Sequence, residues 1–168
     1  IAEELYLKRL IVGGFDKVWE FCKDFRNEGM DRLHNPEFSM VELYWAYADY
    51  NDIMKLYEDM MRQVVHDLHG ASKINYEGQE IDFGSDFRRV SMVEAIREKT
   101  GLDLMALDFG AALEAAKKAD LDLAGLNNWG RVVEAFFEAK VEAFLIQPTF
   151  IKDFPREISP LAKVHREN

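Results

Sequence analysis

Two stretches near the start of the chain alternate between apolar and polar residues. In Lys17–Arg26 one face is aromatic, while the other is mostly polar. Phe38–Tyr47 alternates in the same way, with apolar residues on one side and Glu42 and Tyr44 on the other. A period of two is typical of a strand with one covered face. The pattern therefore predicts two antiparallel strands, apolar behind and polar in front, joined by the loop Gly29–Glu37.

Most of the remaining chain has helical periodicity. We expect helices at Ala2–Leu10 and Asp52–His69, and further helices at 91–101, 109–119 and 130–144. In the longest of these, apolar residues recur at i, i+3, i+4 and i+7 and predict a buried stripe. The stripe consists of Ile53, Tyr57, Met60, Met61, Val64 and Leu68. A small hairpin around Glu77-Gly78 and a short strand at Thr149–Ile151 complete the pattern. Strands followed by helices and a last strand predict an α+β fold with helices packed on the apolar back of the first strand pair.

Composition limits the classes of function. The chain has 168 residues, 48% apolar and 31% charged, which is typical of one folded domain and not of a disordered segment. Its uncharged apolar stretches are far shorter than the roughly 18 residues of a transmembrane helix. A single cysteine, Cys22, cannot form an internal disulfide and favours a reducing compartment, so we expect a cytoplasmic location. The net charge of −10 argues against a broad nucleic-acid surface.

The polar front of the strand pair is the candidate binding surface. Side chains two apart on a strand share a face, which places Arg26 with Glu28 and Glu42 with Tyr44. Such a surface suits a ligand with one anionic and one cationic end. The guanidinium would bind a carboxylate or phosphate, and Glu42 with Tyr44 would bind an ammonium group. Phe38 could stack on a planar ring.

The loop adds Arg32, His34 and Asn35 above this surface. Taken from the residues alone, a second interpretation stays open. An exposed Arg–Glu pair on a sheet is usually a solvated surface pair that contributes at most about 1 kcal/mol. The pattern by itself therefore predicts only a sheet with one charged face.

A longer string narrows the interpretation. The stretch from Phe25 to Tyr50 reads FRNEGMDRLHNPEFSMVELYWAYADY. It resembles motif 2 of the class II aminoacyl-tRNA synthetases, in which an aromatic residue, Arg, any residue and Glu precede a variable loop and a return strand. The joint presence of FRNEG, HNPEF and AYADY resembles the lysyl-tRNA synthetase subgroup. The flanking segments EELYLKRLIVGGFDKVWE and LIQPTFIKDFPREISPLAKVHREN agree, and the stretch 55–128 resembles that family's variable helical insertion.

The resemblance implies a reaction in two steps. Lysine reacts with ATP to give lysyl-adenylate, and tRNA(Lys) then accepts the lysyl group. By motif position, Arg26 would contact both the lysine carboxylate and the α-phosphate and would be the catalytic residue. Glu28 would contact the adenine amino group, and Phe38 would stack on adenine. The further contacts that the resemblance implies are Arg32, His34 and Asn35 with ATP, and Glu4, Glu42 and Tyr44 with lysine.

The resemblance also implies what lies outside this sequence. The matching segments contain motif 2, at about 17–47, but neither the anticodon-binding domain nor motif 1 and motif 3. We therefore expect no metal ligands within these residues, with Mg²⁺ bound elsewhere in a homodimeric whole protein, and no activity from these residues alone. Two alternatives remain at this stage: a lysine ligase that modifies a translation elongation factor, and a non-catalytic module with a synthetase-like fold.

Overall fold

The computed structural model describes residues 1–27, 29–32 and 34–165. The chain divides into two compact units, Ile1–Lys55 and the residues from Leu56 onward. The first unit contains α1 (Glu4–Val12), β1 (Lys17–Phe25) and β2 (Glu37–Trp45). Helix α2 (Tyr50–His69) begins in the first unit and ends in the second. The combination of helices with small sheets confirms the mixed character expected from the sequence.

The second unit consists mainly of short elements. They are β3 (Lys73–Tyr76), β4 (Gln79–Asp82), β5 (Arg88–Ser91), α3 (Met92–Thr100), α4 (Phe109–Lys118), α5 (Trp129–Lys140) and β6 (Thr149–Lys152). Short 3₁₀ turns lie at 104–106, 142–144 and 156–158. No helix within the described ranges is both long and apolar enough to cross a membrane.

Strands β1 and β2 pair antiparallel, as the alternation predicted. The register runs from Lys17 opposite Trp45 to Phe25 opposite Glu37. Residues that lie opposite each other share a face, so Glu20 joins Glu42 on the polar side and Phe21 joins Val41 on the apolar side. The register therefore confirms both the pairing and the separation of the two faces.

The prediction that helices cover the apolar back is wrong for the described residues of the first unit. Trp19 and Phe21, which meet edge to face at 5.6 Å, are exposed together with Phe25 and Val41. Helix α1 instead contacts the polar side, where the Lys8 Nζ atom lies 5.7 Å from the centre of the Tyr44 ring. Alternation identifies the two faces of a sheet but not the face on which a neighbouring helix packs.

Helix α2 buries a different stripe from the one predicted. Met54, Glu58 and Val65 are buried, whereas five of the six predicted stripe residues are exposed. Apolar periodicity did not identify the buried face of α2 because an acidic residue, Glu58, occupies the middle of that face. The helix itself is confirmed, and it starts two residues earlier than expected.

Glu58 is the centre of a buried ion cluster. Its side chain is 6% exposed and accepts hydrogen bonds from Arg62 Nη2 at 2.6 Å and Arg89 Nη2 at 3.0 Å. The backbone N–H of Phe87 donates to the same carboxylate at 3.0 Å. Arg62 also donates to the carbonyl oxygens of Phe83 and Ser85. Through these contacts the cluster links α2 to residues 83–87, the segment before β5.

Two further strand pairs lie in the second unit. β3 and β4 form the predicted hairpin around Glu77 and Gly78, both with positive φ, as a two-residue type I′ turn requires. β5 was not predicted as a strand, since RRVS shows no alternation of apolar and polar residues. It pairs in parallel with the predicted strand β6. Ser91 then caps α3 by accepting a hydrogen bond from the Glu94 N–H, as the capping-box sequence Ser-Met-Val-Glu at 91–94 predicts.

The main core belongs to α3, α4 and α5. Its fully buried large side chains are Ile96, Leu104, Val132, Val133 and Phe136. Helix α5 ends at Lys140 and is followed by a separate 3₁₀ turn, so the single helix expected over 130–144 is shorter than predicted. Gly130 is buried near the start of α5, and a Cβ atom there would lie 3.0 Å from the Cβ atoms of Pro155 and Glu157.

We expect Gly130→Ala to lower the free energy of unfolding by about 1–3 kcal/mol, because the new methyl group must displace the 155–157 segment. Gly110→Ala is the matched control. A Cβ atom at Gly110 would meet only Asp108 Oδ1, at an ordinary 3.5 Å, so the higher helix propensity of alanine should leave that variant at least as stable. Urea unfolding followed by circular dichroism measures both. Equal stability of the two variants would contradict the close packing at Gly130.

Candidate functional site

The candidate site is the front face, defined as the polar side of β1 and β2 together with Arg26 and the residues of α1 that pack on it. Its strand residues are Val18, Glu20, Cys22 and Asp24 on β1 and Phe38, Met40, Glu42 and Tyr44 on β2. The hairpin register brings both strands' polar residues to one side, and α1 adds Glu4 and Lys8. The face therefore has the composition predicted from the alternation, with additional groups from the helix.

Arg26 is fixed by its backbone and by an aromatic ring. Its N–H donates to the Pro36 carbonyl at 2.9 Å, which continues the strand ladder by one residue. The guanidinium carbon lies 5.1 Å from the centre of the Phe38 ring, and Nε and Nη2 both donate to the Ile1 carbonyl oxygen at 3.3 Å. The guanidinium is thus stacked on Phe38 and engages an oxygen through two donors. The same two donors could bind the two oxygens of a carboxylate or phosphate.

Asp24 is the buried carboxylate of the front face. Its side chain is 2% exposed and lies 3.5 Å from the backbone nitrogen of Ile1. The Cys22 thiol donates to the same carboxylate at 3.6 Å. The backbone of Ile1 therefore contacts both side chains, with its nitrogen at Asp24 and its carbonyl oxygen at Arg26.

A second acidic region surrounds Tyr44. The phenol O–H donates to Glu42 Oε2 at 3.5 Å. Partial burial, followed by the carboxylates of Glu42 and Glu4, raises the pKa of the Tyr44 phenol above its ordinary value. The phenol stays protonated at neutral pH and remains a hydrogen-bond donor to Glu42. Two carboxylates and a phenol are the groups that recognise an ammonium ion.

An ammonium group of the chain itself already contacts this acidic region. Lys8 Nζ forms an ion pair with Glu4 across one turn of α1 and also lies over the Tyr44 ring. Lys8 is one functional residue that the sequence interpretation missed. Its position one helical turn after Glu4 was a usable signal, because residues at i and i+4 share a helix face.

The loop between the strands is organised by a carboxylate. Asp31 accepts a hydrogen bond from the His34 N–H at 2.8 Å and lies 2.9 Å from His34 Nδ1. His34 therefore has a hydrogen-bond partner within the loop itself. Arg32 and Asn35 are exposed on the same loop. Glu28, expected to contact adenine, lies outside the described residues.

One group of potential metal ligands lies within the described part of the chain. The ligand atoms of Glu3, Cys22 and Asp24 are within 4.8 Å of one another. Burial, and then Asp24, raises the pKa of the Cys22 thiol, which keeps it protonated and therefore a poor metal ligand. Mg²⁺ prefers an octahedral shell of oxygen atoms, which two carboxylates and a protonated thiol do not supply. This group does not fit Mg²⁺.

The structure thus brings together most of the residues that the sequence indicated. Arg26 and Phe38 stack, Glu42 and Tyr44 are hydrogen-bonded, and Glu4 lies close to the phenol. The interpretation missed Asp24 and Asp31, besides Lys8. The alternating pattern placed Asp24 on the polar face, but nothing in the sequence indicates that its carboxylate is the buried one.

Known proteins are similar to the chain over its whole length. The family described as "tRNA synthetases class II (D, K and N)" matches residues 1–168. A lysine–tRNA ligase of Roseiflexus castenholzii is 52% identical over 164 residues, which cover 97% of this chain and 34% of that protein. The enzyme of the same name from Clostridium acetobutylicum is 52% identical over 172 residues, covering 100% of this chain and 33% of its own length. A third, from Porphyromonas gingivalis, is 46% identical over 168 residues. The chain spans about a third of the length of the curated relatives it matches.

Proposed function

Since the chain belongs to the class II tRNA synthetases of the D, K and N type, we propose that it forms the amino-acid and ATP site of a lysine–tRNA ligase. The substrates would be lysine, ATP and tRNA(Lys), and the product of the first step would be lysyl-adenylate. One observation supports this most directly. A single face of one strand pair presents a stacked guanidinium at one end and a phenol between two carboxylates at the other.

In the proposed reaction, a lysine carboxylate oxygen attacks the α-phosphorus of ATP, and the bond to the departing pyrophosphate breaks. Arg26 would contact the carboxylate and the α-phosphate, where negative charge grows in the transition state. Phe38 would support the guanidinium and stack on adenine, with Glu28 at the adenine amino group. The protein would act by positioning its substrates and by stabilising charge, without a covalent intermediate on its own side chains.

The lysine side chain would be recognised at the acidic end of the front face. Glu42 and Tyr44 would bind the ε-ammonium group. Glu4 would bind the α-ammonium group, with the buried Asp24 close to it. Lys8 now pairs with Glu4, so that substrate binding would exchange one ammonium contact for another. His34, Arg32 and Asn35 would meet the outer phosphates of ATP, and His34 would exchange Asp31 for a phosphate oxygen.

The remaining parts of the proposed function concern the whole protein. Mg²⁺ would neutralise phosphate charge when bound, and we propose that its ligands lie outside these 168 residues. Within a protein of the relatives' length, we propose that β1 and β2 belong to the larger antiparallel sheet of the class II catalytic domain, with 55–128 as a helical insertion. A homodimer in the cytoplasm is proposed for that protein.

A chimera tests the proposal. This chain would replace the matching third of the Clostridium acetobutylicum relative, with which it is 52% identical. We expect lysine-dependent exchange of pyrophosphate into ATP, and charging of tRNA(Lys). Exchange that is stimulated equally by arginine or ornithine, or that does not depend on the added amino acid, would contradict the assignment of the face as a lysine site.

In the same chimera, Glu42→Gln should raise the KM for lysine by roughly 10–100-fold, because an amide cannot compensate the ammonium charge. The KM for ATP should stay within about twofold, since Glu42 lies at the other end of the face from Arg26. Glu20→Gln is the matched control, as Glu20 lies directly opposite Glu42 but is exposed. Pyrophosphate exchange, with lysine varied in one series and ATP in another, measures both KM values for each variant. An equal effect of the two substitutions would show that the general acidity of the face is responsible, and not Glu42 itself.

A further inference from the structure

A cavity of about 390 Å³ lies in the second unit. It is located beyond the carboxyl ends of the parallel strands β5 and β6, where Ser91 ends one strand and Asp153 follows the other. The crevice outside the carboxyl ends of parallel strands is where α/β sheets commonly bind ligands. The volume is at the lower end of the range for small-molecule sites, which begins at about 300 Å³.

The cavity has a firmly positioned apolar wall. Trp129 lines it, and the indole N–H donates to the Leu104 carbonyl at 3.2 Å, which fixes the ring. Pro155 is buried and packs closely against the position of Gly130. Met105 and Phe154 also line the cavity, although each is about half exposed or more. Large apolar side chains that face an open cavity are stabilised when an apolar ligand covers them.

The charged residues of the lining have a small positive excess. Arg156 and Lys163 line the cavity, and within the described ranges neither forms an ion pair. Asp153 supplies one negative charge and lies 3.9 Å from His165 Nε2, which also belongs to the lining. Leaving His165 aside, two cations and one carboxylate leave a net charge of +1 in the lining. This charge matches a monoanion better than a phosphate dianion or a polyphosphate.

We propose that this cavity binds a small monocarboxylate with an apolar or aromatic body. The carboxylate contacts Arg156 and Lys163, and the body covers Trp129, Met105 and Phe154. This proposal does not depend on the lysine and ATP site proposed above, since the two share no residue. Its ligand binds without any covalent step.

Nuclear magnetic resonance of the 168-residue chain tests the site, with 4-phenylbutyrate as the probe. The chain has three tryptophans, and their indole N–H signals can be assigned separately. We expect the Trp129 signal to shift, with a Kd of about 1 mM for a ligand of this size, while the signals of Trp19 and Trp45 stay in place. 4-Phenylbutylamine has the same body and the opposite charge, and it should bind at least about tenfold more weakly.

The variant Arg156→Gln/Lys163→Gln should weaken phenylbutyrate binding by about tenfold or more, in proportion to the two lost charge-assisted contacts. Lys117→Gln/Lys118→Gln, at the exposed end of α4, removes the same charge elsewhere and should leave the Kd unchanged. The proposal is overturned by unchanged binding in the first variant, equal binding of the amine, or no Trp129 shift at 10-fold the expected Kd. Tighter binding of phenyl phosphate than of phenylbutyrate would overturn the assignment to monocarboxylates.

Discussion

Replacing Arg26 with alanine should slow lysine-dependent pyrophosphate exchange by about 10²–10³-fold, which corresponds to roughly 3–4 kcal/mol of transition-state stabilisation. The reason is the position of the guanidinium, stacked on Phe38 and directed at an oxygen through two donors. In the proposed reaction, the guanidinium would face negative charge that is larger in the transition state than in the bound substrates. The loss should therefore appear mainly in kcat, with a smaller change in the KM for lysine or ATP. Exchange kinetics of the chimera measure both.

Arg9→Gln is the control for this substitution. Arg9 is exposed on α1 and contacts the Tyr6 ring at 6.0 Å, away from the proposed substrate contacts. Its replacement removes the same charge, so the exchange rate should stay within about twofold, as is usual for exposed surface positions. A near-normal kcat for Arg26→Ala would rule out the front face as the adenylation site. An increase confined to KM would assign Arg26 to ground-state binding.

The variant Glu58→Gln should lower the free energy of unfolding of the 168-residue chain by about 3 kcal/mol. Breaking one partner of a buried ion pair typically costs 3–5 kcal/mol. The lower end applies here because Arg62 and Arg89 are partly exposed and can regain water. The Phe87 N–H would also depend on an uncharged acceptor in place of a carboxylate. In urea unfolding, the loss should appear as a lower midpoint concentration, while the dependence of the free energy of unfolding on urea concentration stays unchanged.

Asp59→Asn tests whether burial is the cause. Asp59 is the next residue on α2, also contacts Arg62, at 3.9 Å, and is 52% exposed. Its replacement should change the free energy of unfolding by no more than about 0.5 kcal/mol. If both variants lose the same stability, then the charge of Arg62, and not the buried position of Glu58, determines the cost.

The sequence predicted those parts of the fold that depend on local patterns. Alternation predicted the pairing of β1 with β2, and the Glu77-Gly78 turn predicted the β3–β4 hairpin. Ser91 with Glu94 predicted the start of α3. Each of these depends on residues within a few positions of one another. β5 was missed because RRVS has no alternation, and its parallel partner lies some sixty residues later. Such a pairing is determined by tertiary structure and not by a local preference.

Two other differences between the sequence prediction and the structure involve charged residues. The buried face of α2 was misassigned because Glu58 is buried through its ion pairs with Arg62 and Arg89. Sequence periodicity cannot identify a buried carboxylate whose second partner is thirty-one residues away. At the front face, the residue types were predicted through the family resemblance, but Lys8, Asp24 and Asp31 were not. Asp24 stands out by the burial of its carboxylate, which no spacing in the sequence indicates, whereas Lys8 follows Glu4 at the helical spacing i, i+4.

The exposed apolar back of the strand pair affects how the site behaves over time. A two-stranded hairpin has little stability of its own, whereas α5 lies in a core with several fully buried side chains. Amide protons of β1 and β2 should therefore exchange with solvent through frequent local opening, and those of α5 only through global unfolding. Whenever the hairpin opens, Arg26 and Glu42 no longer share a face. If this face binds lysine and ATP as proposed, the apparent affinity of the 168-residue chain would equal the intrinsic affinity multiplied by the fraction of time that the hairpin is closed.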